Sequence, residues 1–268
     1  VTDEPVDVDT LRRAGVRLAV DGPRATITLD RPEVRGAQTP RTWEALERIG
    51  QTLPDSVRVV VVAGTGSSFS SGLDRGLFTV DGVDGMPGLP SLAALPPDEA
   101  DARIERFQAG FAWLTRPERL TIAAVHGHAI GAGLQLALAC DLRIVTEDVR
   151  FSMAETRLGL VPDLGGTSWL VRLVGYARAV ELCVTGRFVG AEEASRIGLA
   201  NEVVASADLP AAVDRLVESV LAAPRESVSE TVRLLSDAAD GVPREAQAAA
   251  ERAAQLRLVS RLVRGTSD

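Results

Sequence analysis

The chain has no lysine, so all 29 of its basic residues are arginine. This excludes a Schiff-base lysine within the chain, and with it internal-aldimine pyridoxal chemistry. GC-rich coding accounts for such a bias without selection on function. Cysteine is nearly absent: Cys140 and Cys183 lie in apolar surroundings and are expected to be buried free thiols, not a disulfide or metal ligands. Histidine is equally scarce. His126 and His128 form an H-x-H pair, but no cysteine or carboxylate is spaced to complete a metal site, so no metal is expected. Neither histidine has the context of a triad base, so Ser67, Ser68, Ser70 and Ser71 read as turn formers and not as nucleophiles. No run of 18 apolar residues is present, and no membrane span is expected. The acidic start VTDEPVDVDT has no apolar core of a signal peptide, which points to a cytoplasmic protein. The net charge of −8 disfavours nucleic acid as the partner, because phosphate binding needs a positive surface.

What is there is an ordinary globular composition, with 46% apolar residues over 268 positions. Residues 1–12 read as a loose polar lead-in. Val16–Val20 and Ala25–Leu29 alternate around Asp21-Gly22-Pro23, a hairpin signal. Gln38–Ile49 reads as an amphipathic helix with Trp43, Leu46 and Ile49 on one face. Val57–Ala63 is a continuous β-branched run, suited to a sheet covered on both sides. The small-residue turn Gly64–Gly72 follows, then a Gly- and Pro-rich loop, Val80–Pro97, expected to be mobile and to border a binding site. Asp98–Leu114, Leu170–Thr185, Ala191–Ile197, Leu209–Ala222, Val228–Ala239 and Arg244–Arg264 read as helices, and Asn201–Val204 as a short strand. No repeat of solenoid length is present. The order of elements predicts an α/β fold, a mainly parallel sheet followed by a helical C-terminal part.

The informative stretch is Thr121–Thr167. An apolar strand, Thr121–Val125, leads to Gly131-Ala132-Gly133, which opens a helix through about Cys140. A second strand, Asp141–Val145, precedes two carboxylates, Glu155 and Asp163. Small residues at a helix start let the backbone approach a ligand, and the free N–H groups there favour negative charge. The pattern suggests an oxyanion or phosphate site with two carboxylates beside it. Asp163 also suits a turn or helix cap before Gly165-Gly166. A dinucleotide-binding reading fails for want of a full G-x-G-x-x-G with a following acidic residue.

Five segments in this order resemble the crotonase superfamily, the enoyl-CoA hydratase/isomerase enzymes, over nearly the whole chain: LDRPEVRGAQ (29–38), FSSGLD (69–74), HGHAIGAGLQLALACD (126–141), FSMAETRLGLVPDLGGT (151–167) and TGRFVGAEEASRIGLANEVV (185–204). The resemblance implies a crotonase-like ββα spiral over residues 1–204 with an acyl-CoA site. It implies a C-terminal helical region, residues 205–268, for trimerisation and active-site cover, hence a homotrimer or a dimer of trimers. No cofactor is implied, because coenzyme A belongs to the substrate. The backbone N–H groups of Leu73 and Ala132 match the family's oxyanion donors. Val34, Ala37, Ser71, Gly72, Asp74 and Gly131 match its substrate-binding segments, with Asp74 expected to order its turn by accepting backbone hydrogen bonds.

Departures from the family pattern bear on the reaction. Glu155 matches the second of the two glutamates that hydratases use, but Gln135 stands where the first would be. An amide positions water but does not take its proton. Glu155 alone can carry a proton between carbons, with Asp163 as a further acid or base. The expectation is therefore a double-bond isomerase, ahead of an enoyl-CoA hydratase and of a non-catalytic acyl-CoA binder. Gly36 replaces the usual Asn of the CoA-side loop. Arg257, Arg261 and Arg264 replace the usual C-terminal ending, either to meet CoA phosphates or to solvate a helix face.

Overall fold

The computed structural model describes residues 7–265, with side chains through Leu262. A short helix, α1 (Val8–Arg13), opens it in place of a loose lead-in; the Asp7 carboxylate accepts from Thr10 N–H at its start, and Leu11 is buried. Residues 1–6 of that expected lead-in lie outside the described part. The main sheet has the order β1 (Val16–Asp21), β2 (Arg24–Leu29), β3 (Val59–Gly64), β4 (Leu120–Val125), β6 (Leu142–Thr146), β8 (Glu202–Val204). The β1–β2 hairpin is antiparallel and every other pairing in the sheet is parallel.

The unbroken apolar run in β3 has a simple cause. Val60 and Val62 face the larger core, with Trp43, Leu46 and Ile49 of α2 (Pro40–Thr52). Val59 and Val61 face the other side, under Leu209, Ala212, Val213 and Val217 of α8 (Leu209–Ala222). Alternate residues of one strand are thus buried on both faces.

A second, smaller layer was not visible in the sequence. β5 (His128–Ile130) pairs in parallel with β7 (Arg150–Ser152). Single bridges extend this layer: Ser70 to Ala129, Phe151 to Val189 and Gln38 to Leu73. Each turn of chain therefore adds a strand to the large sheet and a short extended segment to the small one, which is the ββα spiral expected.

Among the helices, α3 (Pro97–Ala112) packs on α2, and α4 (Ala132–Ala139) is buried at every residue. The single helix expected over Leu170–Thr185 is two, α5 (Gly166–Val174) and α6 (Tyr176–Thr185). Gly175, at φ +79°, breaks the run while its N–H still bonds Val171 O. The Val80–Pro97 segment is folded, with a bridge between Val83 and Met86 and a tight helical turn at Leu89–Ala94. α7 (Ala191–Arg196), α8, α9 (Arg225–Ala239) and α10 (Arg244–Gly265) complete the chain. Arg257 pairs with Glu230 and Arg261 with Glu226, both on α9, so these cations bind helix to helix. The Arg264 side chain lies outside the described residues. Among the described residues, no helix is long and apolar enough to cross a membrane.

Arg143 of β6 was also missed. It is buried, and its guanidinium donates to the carbonyls of Leu199 (2.8 Å) and Cys140 (2.6 Å), closing the C-terminal end of α4. Cys140 beside it is buried, whereas Cys183 is only half-buried, a correction to the expectation for both thiols.

Candidate active site

A cleft of about 1220 Å³ opens over the small sheet and the start of α4. Its wall includes every residue singled out for the site: Val34, Ala37, Ser71, Gly72, Leu73, Asp74, Gly131, Ala132, Gln135, Glu155 and Asp163. Segments distant in sequence converge because the spiral stacks their turns.

The first turn is held on both sides. Gln38 N–H donates to Gly72 O (2.7 Å) and Gln38 O accepts from Asp74 N–H (2.9 Å). In such a parallel bridge the intervening residue's N–H and C=O point the opposite way. Leu73 N–H therefore faces away from Gln38, and it has no acceptor among the described residues. Gly72, at φ +88°, is required there, since a Cβ would come 2.4 Å from Ile130 O and 3.5 Å from Ala132 N. That closeness brings the two turns together. Asp74 accepts from Gly76 N–H (3.0 Å) and pairs with Arg31 (2.9 Å), which also donates to Ala37 O (3.1 Å). Asp74 does order its turn, as expected, and Arg31 ties it to the loop after β2.

The second turn is Gly131, at φ 53° and ψ −121°, conformational space that side chains disfavour. Its N–H bonds Ser152 O (2.9 Å), and Ala132 follows as the first helical residue, its N–H without an acceptor among the described residues. A Cβ on Gly131 would sit 3.2 Å from Glu155 Oε1, so the carboxylate lies directly against this turn.

Glu155 is 8% exposed and Gln135 1%. Gln135 Nε2 donates to Glu155 Oε1 at 2.7 Å. Gln135 Oε1 accepts from Leu164 N–H (2.9 Å) and Gly166 N–H (3.2 Å). The amide thus spends both lone pairs on the loop after Glu155 and a proton on Glu155 itself, a commitment that spacing alone does not reveal. Glu155 Oε2 is buried with no hydrogen-bond partner among the described residues. Burial raises the Glu155 carboxyl above its ordinary value, with a smaller push from Asp163; its own N–H and Gln135 oppose this. Asp163 also sits above its usual range through lost hydration, but its side chain remains open to solvent, which screens that effect. Asp163 does not cap α5: the cap position is Gly165, with no side-chain hydrogen bond.

Outside the turns, the wall includes the charged Glu33, Arg35 and Arg75 and the apolar Trp43, Ile104, Phe107, Leu160 and Val161. Trp43 packs on Phe107 with ring centroids 5.0 Å apart. Of these, Trp43 reads from the sequence only as part of the apolar face of its helix. The histidines take structural bonds: His126 Nε2–H donates to Gly66 O (3.0 Å), and His128 Nδ1 meets Ser68 Oγ (3.3 Å).

The family sequence model described as Enoyl-CoA hydratase/isomerase matches residues 24–264. The chain belongs to the enoyl-CoA hydratase/isomerase family. The crotonase fold is shared with a Thermobifida fusca YX protein named as an enoyl-CoA hydratase. Its complex with CoA is 46% identical with a TM-score of 0.92, covering 98% of this chain and 100% of that one. Its complex with acetoacetyl-CoA is 48% identical at 0.91, covering 95% and 98%. A Bacillus subtilis protein named as an enoyl-CoA hydratase/isomerase is 35% identical over 74% of this chain and 72% of its own length. An Arthrobacter 4-chlorobenzoyl coenzyme A dehalogenase is 33% identical over 75% and 70%. Family membership makes the protein an acyl-CoA enzyme, while names as different as hydratase and dehalogenase leave the reaction to be argued from the site.

Proposed function

We propose that the protein shifts the double bond of an enoyl-CoA, with Glu155 as the single proton carrier. The carrying observation is the bonding of Gln135. Hydration by the family's two-glutamate pattern needs, beside Glu155, a second group that takes a proton from water or orients it through a lone pair. The Gln135 amide does not ionise, and both its lone pairs are occupied by Leu164 and Gly166 N–H. Glu155 is left with one anchored oxygen and one free oxygen, Oε2, beside the Gly131 turn.

The substrate's thioester oxygen lies between the N–H groups of Leu73 and Ala132, with the charged part of CoA toward Arg35 and Arg75 and the acyl chain against Trp43 and Phe107. The T. fusca relative's complexes with CoA and acetoacetyl-CoA support an acyl-CoA in this cleft. Glu155 Oε2 removes a C2 proton from a 3-enoyl-CoA. The electron pair moves into the thioester as a dienolate, whose oxygen anion the two donors stabilise. One such donor contributes about 3–4 kcal/mol. The same carboxyl returns the proton to C4, giving the conjugated 2-enoyl-CoA. A carboxyl raised by burial suits a group that must both take and give a proton. Asp163 stands on the same wall and carries no step in this reaction.

The test is ultraviolet absorbance of the conjugated enoyl thioester. The reading requires a gain with 3-enoyl-CoA and no loss with 2-enoyl-CoA. Loss with the 2-enoyl substrate would establish hydration instead, and Glu155→Gln retaining full activity would remove Glu155 from either mechanism.

A further inference from the structure

Gln38 lies behind the cleft and does not line it, yet its side chain makes two buried hydrogen bonds next to the first turn. It is 0% exposed. Its backbone holds Gly72 and Asp74, on either side of Leu73. Its side chain joins two further parts of the site. Oε1 accepts from the indole N–H of Trp43 (2.8 Å), and Nε2 donates to Ser70 Oγ (3.0 Å). Ser70 Oγ passes the connection on by donating to Gly36 O (2.7 Å) and accepting from Gly72 N–H (3.2 Å). Trp43 forms part of the apolar cleft wall and packs on Phe107 and Phe111 of α3.

We infer that Gln38 is a positioning residue: its side chain fixes the direction of the Leu73 N–H and links that direction to the packing of the acyl group against Trp43. The physical argument has two parts. The Leu73 turn has no regular secondary structure of its own, so its orientation depends on the segment it pairs with. Gln38 supplies that pairing, and its side chain is held by the bonds to Trp43 and Ser70. Buried polar groups with every partner satisfied define one arrangement, and removing a member leaves the others short of partners. An acyl chain pressing on the Trp43 ring therefore acts on the same network that aims the oxyanion donor. This inference rests on the proposed function only in taking Leu73 as such a donor.

The test is Gln38→Met, close in length and apolar, with Trp43→Phe as a second variant that removes the indole donor and trims the ring. A ligand with a carbon-13 thioester carbonyl reports donor alignment through its infrared stretch, whether or not turnover occurs. In the wild-type protein the bound carbonyl stretch moves to lower frequency than in free acyl-CoA. In Gln38→Met that displacement shrinks while the dissociation constant stays within about threefold, and kcat falls about 10- to 100-fold with little change in KM. Trp43→Phe gives a smaller change in the same direction, and carries the test if Gln38→Met does not fold. An unchanged carbonyl stretch in whichever variant folds overturns the inference, as does a defect confined to KM. An absence of turnover in the wild-type protein, with the carbonyl displaced and Gln38-dependent, would instead count against the proposed function alone.

Discussion

Gln135→Met is the most revealing single change, because Gln135 touches both the base and the loop that carries it. The substitution keeps the length of the side chain and removes its donor and acceptor. Glu155 Oε1 then loses its 2.7 Å bond from Nε2. A hydrogen bond to a charged group contributes about 1.5–3 kcal/mol, and one pKa unit corresponds to about 1.4 kcal/mol. The Glu155 carboxyl, already raised by burial, should rise further, because the bond it loses favours the ionised form. The base must be ionised to act, so kcat/KM falls as pH drops through this pKa. A higher pKa moves that acid limb to higher pH by the same amount. Leu164 and Gly166 N–H also lose their acceptor. Each costs about 1–3 kcal/mol if it stays dry, so unfolding in urea should show a loss within about 2–6 kcal/mol. The assay is a pH profile of isomerase kcat/KM, run well below the variant's melting temperature. An acid limb that stays in place would refute the reasoning, because the amide would then have no effect on the ionised carboxylate.

Other expectations follow from the same geometry. The folded-state pKa of Glu155 lies above its unfolded value, so the native state holds a proton that the unfolded chain has released, and stability falls as pH rises through that window. Glu155→Gln should therefore raise the melting temperature at neutral pH, with the gain shrinking toward acid pH; a gain independent of pH would contradict this. Gly131→Ala places a Cβ 3.2 Å from Glu155 Oε1 on backbone at φ 53°, ψ −121°, and should lose about 1–3 kcal/mol of stability together with most activity. Denaturant unfolding and kcat measure the two losses. Arg143→Met leaves the carbonyls of Leu199 and Cys140 without their donor and should cost about 2–5 kcal/mol in the same unfolding assay, although Arg143 lies outside the cleft.

The sequence announced the parts of this site that depend on local chemistry. Gly131, Gly72 and the helix start at Ala132 are readable because tight turns demand small residues. β3 is readable because burial on two faces demands an unbroken apolar run. The small sheet escaped because β5 and β7 are three residues each, too short for any periodicity to register. The break at Gly175 escaped because the apolar spacing continues across it. Trp43 and Phe107 have the helical spacing of core residues, and only the fold brings them to the cleft wall. The amides were hardest of all. Gln135 meets Glu155 across 20 residues and Gln38 meets Ser70 across 32, so their bonds belong to the tertiary structure. Residue type said that Gln135 was not an acid; the structure adds that its lone pairs are already taken.

The central claim is that one carboxylate carries the chemistry and water is not a reactant. The most direct measurement is the mass of the products formed from equal concentrations of 3-enoyl-CoA and 2-enoyl-CoA, with the wild-type protein and with Glu155→Gln. The account predicts that the 3-enoyl substrate becomes its 2-enoyl isomer at unchanged mass, that the 2-enoyl substrate gains no water, and that Glu155→Gln abolishes the conversion. A 3-hydroxyacyl-CoA, heavier by one water, appearing from the 2-enoyl substrate as the dominant product would contradict it.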